Sequence, residues 1–178
     1  WVVLYWIELI YYREHYMTTQ LSKNFTLSEF TRSKTAIQYG IDNTPTTEEI
    51  ANMKLLCENV LEPIRKLFKR PIKITSGYRS KQLNLKVGGV SNSQHKTGQA
   101  ADIQISGIPV DEAFNKILES GIEFDQCILE STWLHLSYNQ GHNRNQALIA
   151  IWVNGKFIYE PAERSNKEID DESTKPEK

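Results

Sequence analysis

Along the middle of the chain, apolar Ile50, Met53, Leu56, Val60, Ile64 and Leu67 recur every three or four positions, which places one apolar stripe along a helix. Thr46 and Glu49 stand at capping-box separation after Pro45, so this helix is expected to start at Thr46 or Thr47, with Pro63 kinking or splitting it. Shorter helices are expected over 79–86, ended by Gly88-Gly89, and over 109–118, stopped at Gly121. Strands are expected at 72–75, 101–105, 124–129 and 133–138, and then at 148–153 and 157–159, joined by the hairpin dipeptide Asn154-Gly155. This mixture has no internal repeat and no low-complexity linker, and it predicts one α+β unit: a small antiparallel sheet with helices packed on one side.

The pattern fails at both ends. Residues 1–16, WVVLYWIELIYYREHY, carry an apolar run of about 12 residues interrupted by Glu8, where a membrane span needs roughly 20. No basic residue precedes the run and no small-residue cleavage pattern follows it, so it is a poor signal peptide as well. Met17 is expected to be the natural start, with 1–16 a leader foreign to the domain and 17–162 the domain itself. Residues 163–178, ERSNKEIDDESTKPEK, bury too little apolar area to offset ordering entropy and are expected to be a disordered charged tail.

Composition narrows the functional classes. A chain of 178 residues that is 39% hydrophobic can build its own core. Lys plus Arg number 21 against 22 Asp plus Glu, a net charge of -1, so no strong field draws the protein to nucleic acid or an anionic membrane. Neither a nucleic-acid partner nor stable membrane insertion is expected. Cys57 and Cys127 form no C-x-x-C pair, which excludes a disulfide framework or a cysteine-rich zinc site and leaves two buried, reduced thiols. A monomer is expected, and with no convincing signal peptide it is expected to be made in the cytoplasm.

The chemistry gathers on two strands and one turn. In AADIQI, Ala101, Ile103 and Ile105 alternate with Asp102 and Gln104. In WLHLS, Leu134 and Leu136 alternate with Trp133, His135 and Ser137. Asp102 and His135 therefore leave their strands on the side opposite the aliphatic set. His95 lies seven residues before Asp102, in the Gly-, Ser- and Asn-rich turn GGVSNSQHKTGQ, with room to fold back over the strand. Two imidazoles and one carboxylate, with a fourth position left to water, form the donor set of a catalytic Zn²⁺.

These residues also carry a resemblance. Ser93-Gln94-His95-Lys96-Thr97-Gly98-Gln99-Ala100-Ala101-Asp102 resembles the S-x-H-x-x-G-x-A-x-D signature of the zinc D-alanyl-D-alanine carboxypeptidases and related phage endolysins, a family sharing its fold with the Hedgehog signalling domain. Ser76-Gly77-Tyr78-Arg79-Ser80 resembles the family's S-G-Y-R-S segment, and Trp133-Leu134-His135-Leu136-Ser137 its W-x-H-x-S strand. The likeness runs from about Phe25 to Tyr159, and Phe25 to Phe30 and Phe124-Asp125-Gln126 are similar to its compact single-domain branch.

The resemblance implies His95, Asp102 and His135 as zinc ligands, Arg79 as the cation that meets a substrate carboxylate or carbonyl, and Ser93 as a neighbouring hydrogen-bond donor. It further implies a peptidase acting on a D-amino-acid-containing stem peptide of bacterial peptidoglycan, as in cell-wall remodelling or phage lysis. Gly98 would permit a tight turn between His95 and Asp102, and Ala100 would leave space beside the metal. The chain departs from the family at the general base. Many members place Asp or Glu three residues before the last His, where this chain has Thr132, which cannot take a proton at neutral pH. Glu130, five positions before His135, is the expected base, brought alongside by a hairpin turn at Ser131-Thr132. The Glu-Ser pair there is similar to one in Hedgehog domains. The absence of an acid at Thr132 also motivates a second expectation, a non-catalytic zinc-stabilised binding module of the same fold. His142, in the polar loop NQGHNRNQ, is a lesser candidate for the cleft, and His15 lies in the leader.

Overall fold

The computed structural model of the protein describes residues 19–162, so the expectations for the 1–16 leader and the 163–178 tail lie outside the described residues. A short antiparallel pair, β1 (Gln20–Ser22) and β2 (Phe25–Thr26), leads into helices α1 (Leu27–Thr31) and α2 (Lys34–Tyr39). Sequence periodicity is silent on these because each is too short to display a period. The long helix then starts as its caps dictate. Thr46 Oγ1 accepts from the Glu49 backbone at 3.3 Å while the Thr46 backbone donates to the Glu49 carboxylate at 2.6 Å, opening α3 (Thr47–Leu56). Pro63 does not break the run. The helix widens into a π turn over Cys57–Leu61, where Glu62 N donates to Cys57 O, and continues as α4 (Glu62–Phe68). Proline brings no N–H and crowds the carbonyl four residues back, and one wider turn upstream removes that conflict without ending the helix.

After β3 (Ile72–Ser76) and α5 (Lys81–Lys86, capped by the Ser80 hydroxyl) come a 3₁₀ turn (Gln94–Thr97), β4 (Ala100–Ile105) and α6 (Val110–Glu119). Then follow β5 (Gln126–Leu129), β6 (Leu134–Ser137), β7 (Gln146–Val153) and β8 (Lys156–Pro161). The six-stranded sheet has the order β3-β4-β6-β5-β7-β8. It is antiparallel except where β5 and β7 run parallel, because the 138–145 connection crosses from the end of β6, beside the start of β5, to the other edge of β5, where β7 begins next to Gln126. The architecture is therefore α+β, as the pattern predicts, with a small antiparallel pair beside a larger mixed sheet. Asn154 (φ 49) and Gly155 (φ 84) make the tight turn between β7 and β8.

Alternation then sorts the two faces of the sheet. Ile74, Ala101, Ile103, Leu134 and Leu136 lie on one face, buried against Met53, Leu56, Val60 and Ile64 of the long helix and Phe114 and Ile117 of α6. Each of the larger side chains among them contributes about 1.5–3 kcal/mol by leaving water. Cys57 and Cys127 are buried in the same core without a disulfide, and burial pushes the Cys57 thiol pKa up. Asp102 and His135, paired across β4 and β6, alternate with this set and project from the opposite face.

Candidate metal centre

Strand register places the first two members of the centre. Asp102 pairs directly with His135 across β4 and β6. The third arrives on the 3₁₀ turn, which ends at Gly98 in the left-handed region (φ 71) and returns the chain into β4. A side chain there would stand 2.4 Å from the Glu49 carbonyl of α3, so the site requires glycine both for its backbone angle and for its contact with the long helix. His95 is 4% exposed, and its Nδ1 lies 2.7 Å from the Gly77 carbonyl. Donation from Nδ1–H to that carbonyl leaves Nε2 with its lone pair aimed at Asp102 and His135. Burial lowers the His95 pKa against the opposing pull of Asp102, favouring the neutral imidazole that a metal ligand must be.

The three inward atoms form a nearly equilateral triangle. His95 Nε2 is 3.3 Å from Asp102 Oδ1, His135 Nδ1 is 3.0 Å from the same oxygen, and the two nitrogens are 3.3 Å apart. A tetrahedral Zn²⁺ with bonds of about 2.0–2.1 Å separates its ligands by about 3.3–3.4 Å, so nitrogen–oxygen donor type and spacing both fit that ion. His95, Asp102 and His135 are the one group of this kind among the described residues. Burial alone would raise the Asp102 pKa, but His95 and His135 hold it far below the ordinary carboxylate range. It is an anion at every working pH.

Arg79 lies against the same carboxylate. A register shift between Ile74 and Ser76 sets Ser76 opposite Asp102. The Ser76 hydroxyl then accepts from Arg79 Nε at 3.0 Å, and Arg79 Nη2 donates to Asp102 Oδ2 at 2.9 Å. The Arg79 backbone also donates to the His95 carbonyl, so the two turns that flank the centre hold each other. Asn43 braces the arrangement from behind, accepting from Ser80 N at 2.7 Å and donating to the Tyr78 carbonyl at 3.1 Å. Ser93 opens the 3₁₀ turn and is half-buried, and its hydrogen bonds to Val90 and Lys96 are made by its backbone.

Glu130 stands one step along from His135. Ile128 pairs with His135, Leu129 with Leu134, and the Glu130 N–H donates to the Trp133 carbonyl across the Ser131-Thr132 turn. Two residues beyond Ile128, Glu130 shares its face and is diagonal to His135. Burial and then the Asp102 charge raise its pKa, with His135 opposing. That moves a carboxylate toward the range in which it can both take and return a proton. His142 lies exposed in its loop, its backbone donating to Asn139, and is not drawn into the cluster.

One constellation escaped the sequence reading. Asp125, 1% exposed, accepts from Arg144 Nε at 2.8 Å, from the Arg144 backbone at 3.0 Å, from Gln94 at 2.8 Å and from Ser137 at 3.2 Å. Gln94 precedes His95 and Ser137 follows His135 by two. Asp125 thus ties the turn and the strand that carry two of the three inward donors to the 139–145 loop. Its partners are 12 to 31 residues away, and no local pattern announces such a bond.

A one-faced sheet that presents two imidazoles, a buried carboxylate and a half-buried glutamate together defines the frame of a metal-assisted hydrolase. The family comparison agrees: the model of the family described as Peptidase M15 matches residues 23–137, more than half of the 178. The chain belongs to the Peptidase M15 family. The match spans His95, Asp102, His135, Arg79, Ser93 and Glu130, and stops before β7. No curated protein matches the chain.

Proposed function

We propose that this protein is a zinc-dependent peptidase that hydrolyses a D-amino-acid-containing peptide bond in bacterial peptidoglycan, in the manner of the compact carboxypeptidases and endolysins its motifs resemble. The observation that carries the reading is the His95–Asp102–His135 triangle, with 3.0–3.3 Å edges that suit a tetrahedral ion, on a sheet face outside the core. A bound Zn²⁺ supplies Lewis acidity, making water a nucleophile near neutral pH and polarising a carbonyl. Glu130 takes the proton of the attacking water and returns it to the departing amine, for which its raised pKa suits it. Arg79, anchored through Ser76 and Asp102, offers its remaining donors to a substrate carboxylate or carbonyl, and Ser93, at the start of the His95 turn, is the proposed neighbouring donor. The stem peptide is the proposed partner, and the bacterial wall the proposed place of action. Among the described residues no helix is long and apolar enough to cross a membrane.

The test is muropeptide release from purified peptidoglycan, analysed by mass spectrometry, with zinc-loaded protein, chelated protein and Glu130→Gln compared directly. Release that needs zinc and falls about 10²–10⁴-fold in the variant, at unchanged zinc content, is expected for a general base. No release from a protein that holds one zinc would replace this reading with the binding module.

A further inference from the structure

Beyond residue 137, where the family match ends, the chain adds the β7–β8 hairpin to the edge of the sheet. Register carries the functional face onto it. Ile128, paired with His135, lies beside Leu148 of β7, and Leu129 lies beside Ile149, which sets Ala150 next to Glu130. Ala150 is paired in turn with Tyr159 of β8. Glu130, Ala150 and Tyr159 therefore form one row on the face that carries Asp102 and His135, with a methyl group as the low point between the carboxylate and the phenol.

Three observations set Tyr159 apart from an ordinary edge-strand aromatic. Burial, then the Glu130 charge, then the Asp102 charge push its pKa up, so both acids of the centre act on it, and its O–H remains a donor at every working pH. Tyr159 is 51% exposed, and among the described residues its phenolic O–H has no hydrogen-bond partner. In the next row, Trp152 and Phe157 pack edge to face at 4.7 Å, a brace that holds the hairpin. Two strand spacings of about 4.8 Å separate Glu130 from Tyr159, which is room for one extended peptide backbone above Ala150.

We infer that Tyr159 is a substrate-contacting residue, closing the cleft on the side opposite Arg79 and donating its phenolic O–H to a backbone carbonyl of the bound peptide. Arg79 follows β3 at one edge of the sheet and Tyr159 stands on β8 at the other, with the centre between them. A peptide crossing the centre is then held from both ends, and the hairpin, not the motif-bearing strands, selects which stretch of peptide is presented to Glu130. This rests on the reading of the face as a peptide cleft.

The experiment compares wild type, Tyr159→Phe and Tyr159→Ala, all zinc-loaded, in hydrolysis of soluble muropeptides and, in a Glu130→Gln background, in calorimetric binding of the same muropeptides. Loss of one neutral hydrogen bond predicts a rise of about three- to tenfold in KM and Kd for Tyr159→Phe, with kcat nearly unchanged and zinc stoichiometry intact. Tyr159→Ala should lose at least as much. Tyr159→Phe matching the wild-type Kd, with Tyr159→Ala weakened or not, overturns the inference while leaving wild-type hydrolysis and the proposed function standing. Binding that depends on Tyr159 in a protein that cuts nothing would support the inference and overturn the peptidase. A wild-type protein that neither binds nor cuts the fragments overturns both.

Discussion

Burial raises the pKa of the Asp125 carboxyl, but the hydrogen bonds from Arg144 and Gln94 outweigh it and bring the value down to about 2. A group depressed in the folded state contributes stability above its unfolded pKa, near 3.8, and loses it as pH falls through about 2. Asp125→Asn should therefore cost roughly 2 kcal/mol at pH 7 and flatten the acid limb of stability between about pH 4 and pH 2. Urea unfolding of both proteins across that window checks it, and parallel curves would refute the role. Because Asp125 holds Gln94 and Ser137, which flank His95 and His135 in sequence, the same variant should weaken zinc affinity, read by competition with a chelating dye.

Among the elements, the 3₁₀ turn is where local geometry and site geometry meet. Gly98 takes a left-handed angle against the Glu49 carbonyl, and Gly77, whose own Cβ would lie 2.6 Å from the Phe30 backbone, presents the carbonyl that orients His95. Gly98→Ala adds left-handed strain of about 1–2 kcal/mol and a collision with backbone that cannot swing away. It is expected to lower the unfolding free energy by at least ~2 kcal/mol, read as a lower denaturant midpoint, with weaker zinc binding as the turn moves. An unchanged midpoint would mean that α3 yields instead. The π turn before Pro63 shows the other side of element-scale prediction. Helical period and capping box located the helix, but whether proline breaks it depends on the packing of Cys57, Val60 and Leu61, which are fully buried and hold the run together.

For the molecule as a whole, the division of the sheet into a core face and a functional face has a thermodynamic consequence. The helix-backed core contains none of His95, Asp102 or His135, so removing zinc with a chelator should leave the fold intact. It should still lower the melting temperature, since zinc at a thousand times its Kd adds about 4 kcal/mol to the folded state. Scanning calorimetry with and without chelator checks this, and His135→Ala should abolish the difference. A zinc-independent melting temperature would show that the triangle does not hold the ion.

The sequence by itself determined the helices with a long period or a strong cap, the alternating strands, and the three residues of the triangle, because 3.6- and 2-residue periods and short motifs are local properties of a chain. The Ser131-Thr132 turn signal also anticipates the β5–β6 register, in which Glu130 stands diagonal to His135. Only the tertiary structure decided that β5 and β7 run parallel, that Arg144 and Gln94 converge on Asp125, and that Tyr159 shares a row with Glu130. Those relations depend on which strands become neighbours. That choice is made by burying one face of the whole sheet against the helices, a global energy that no short window of sequence contains.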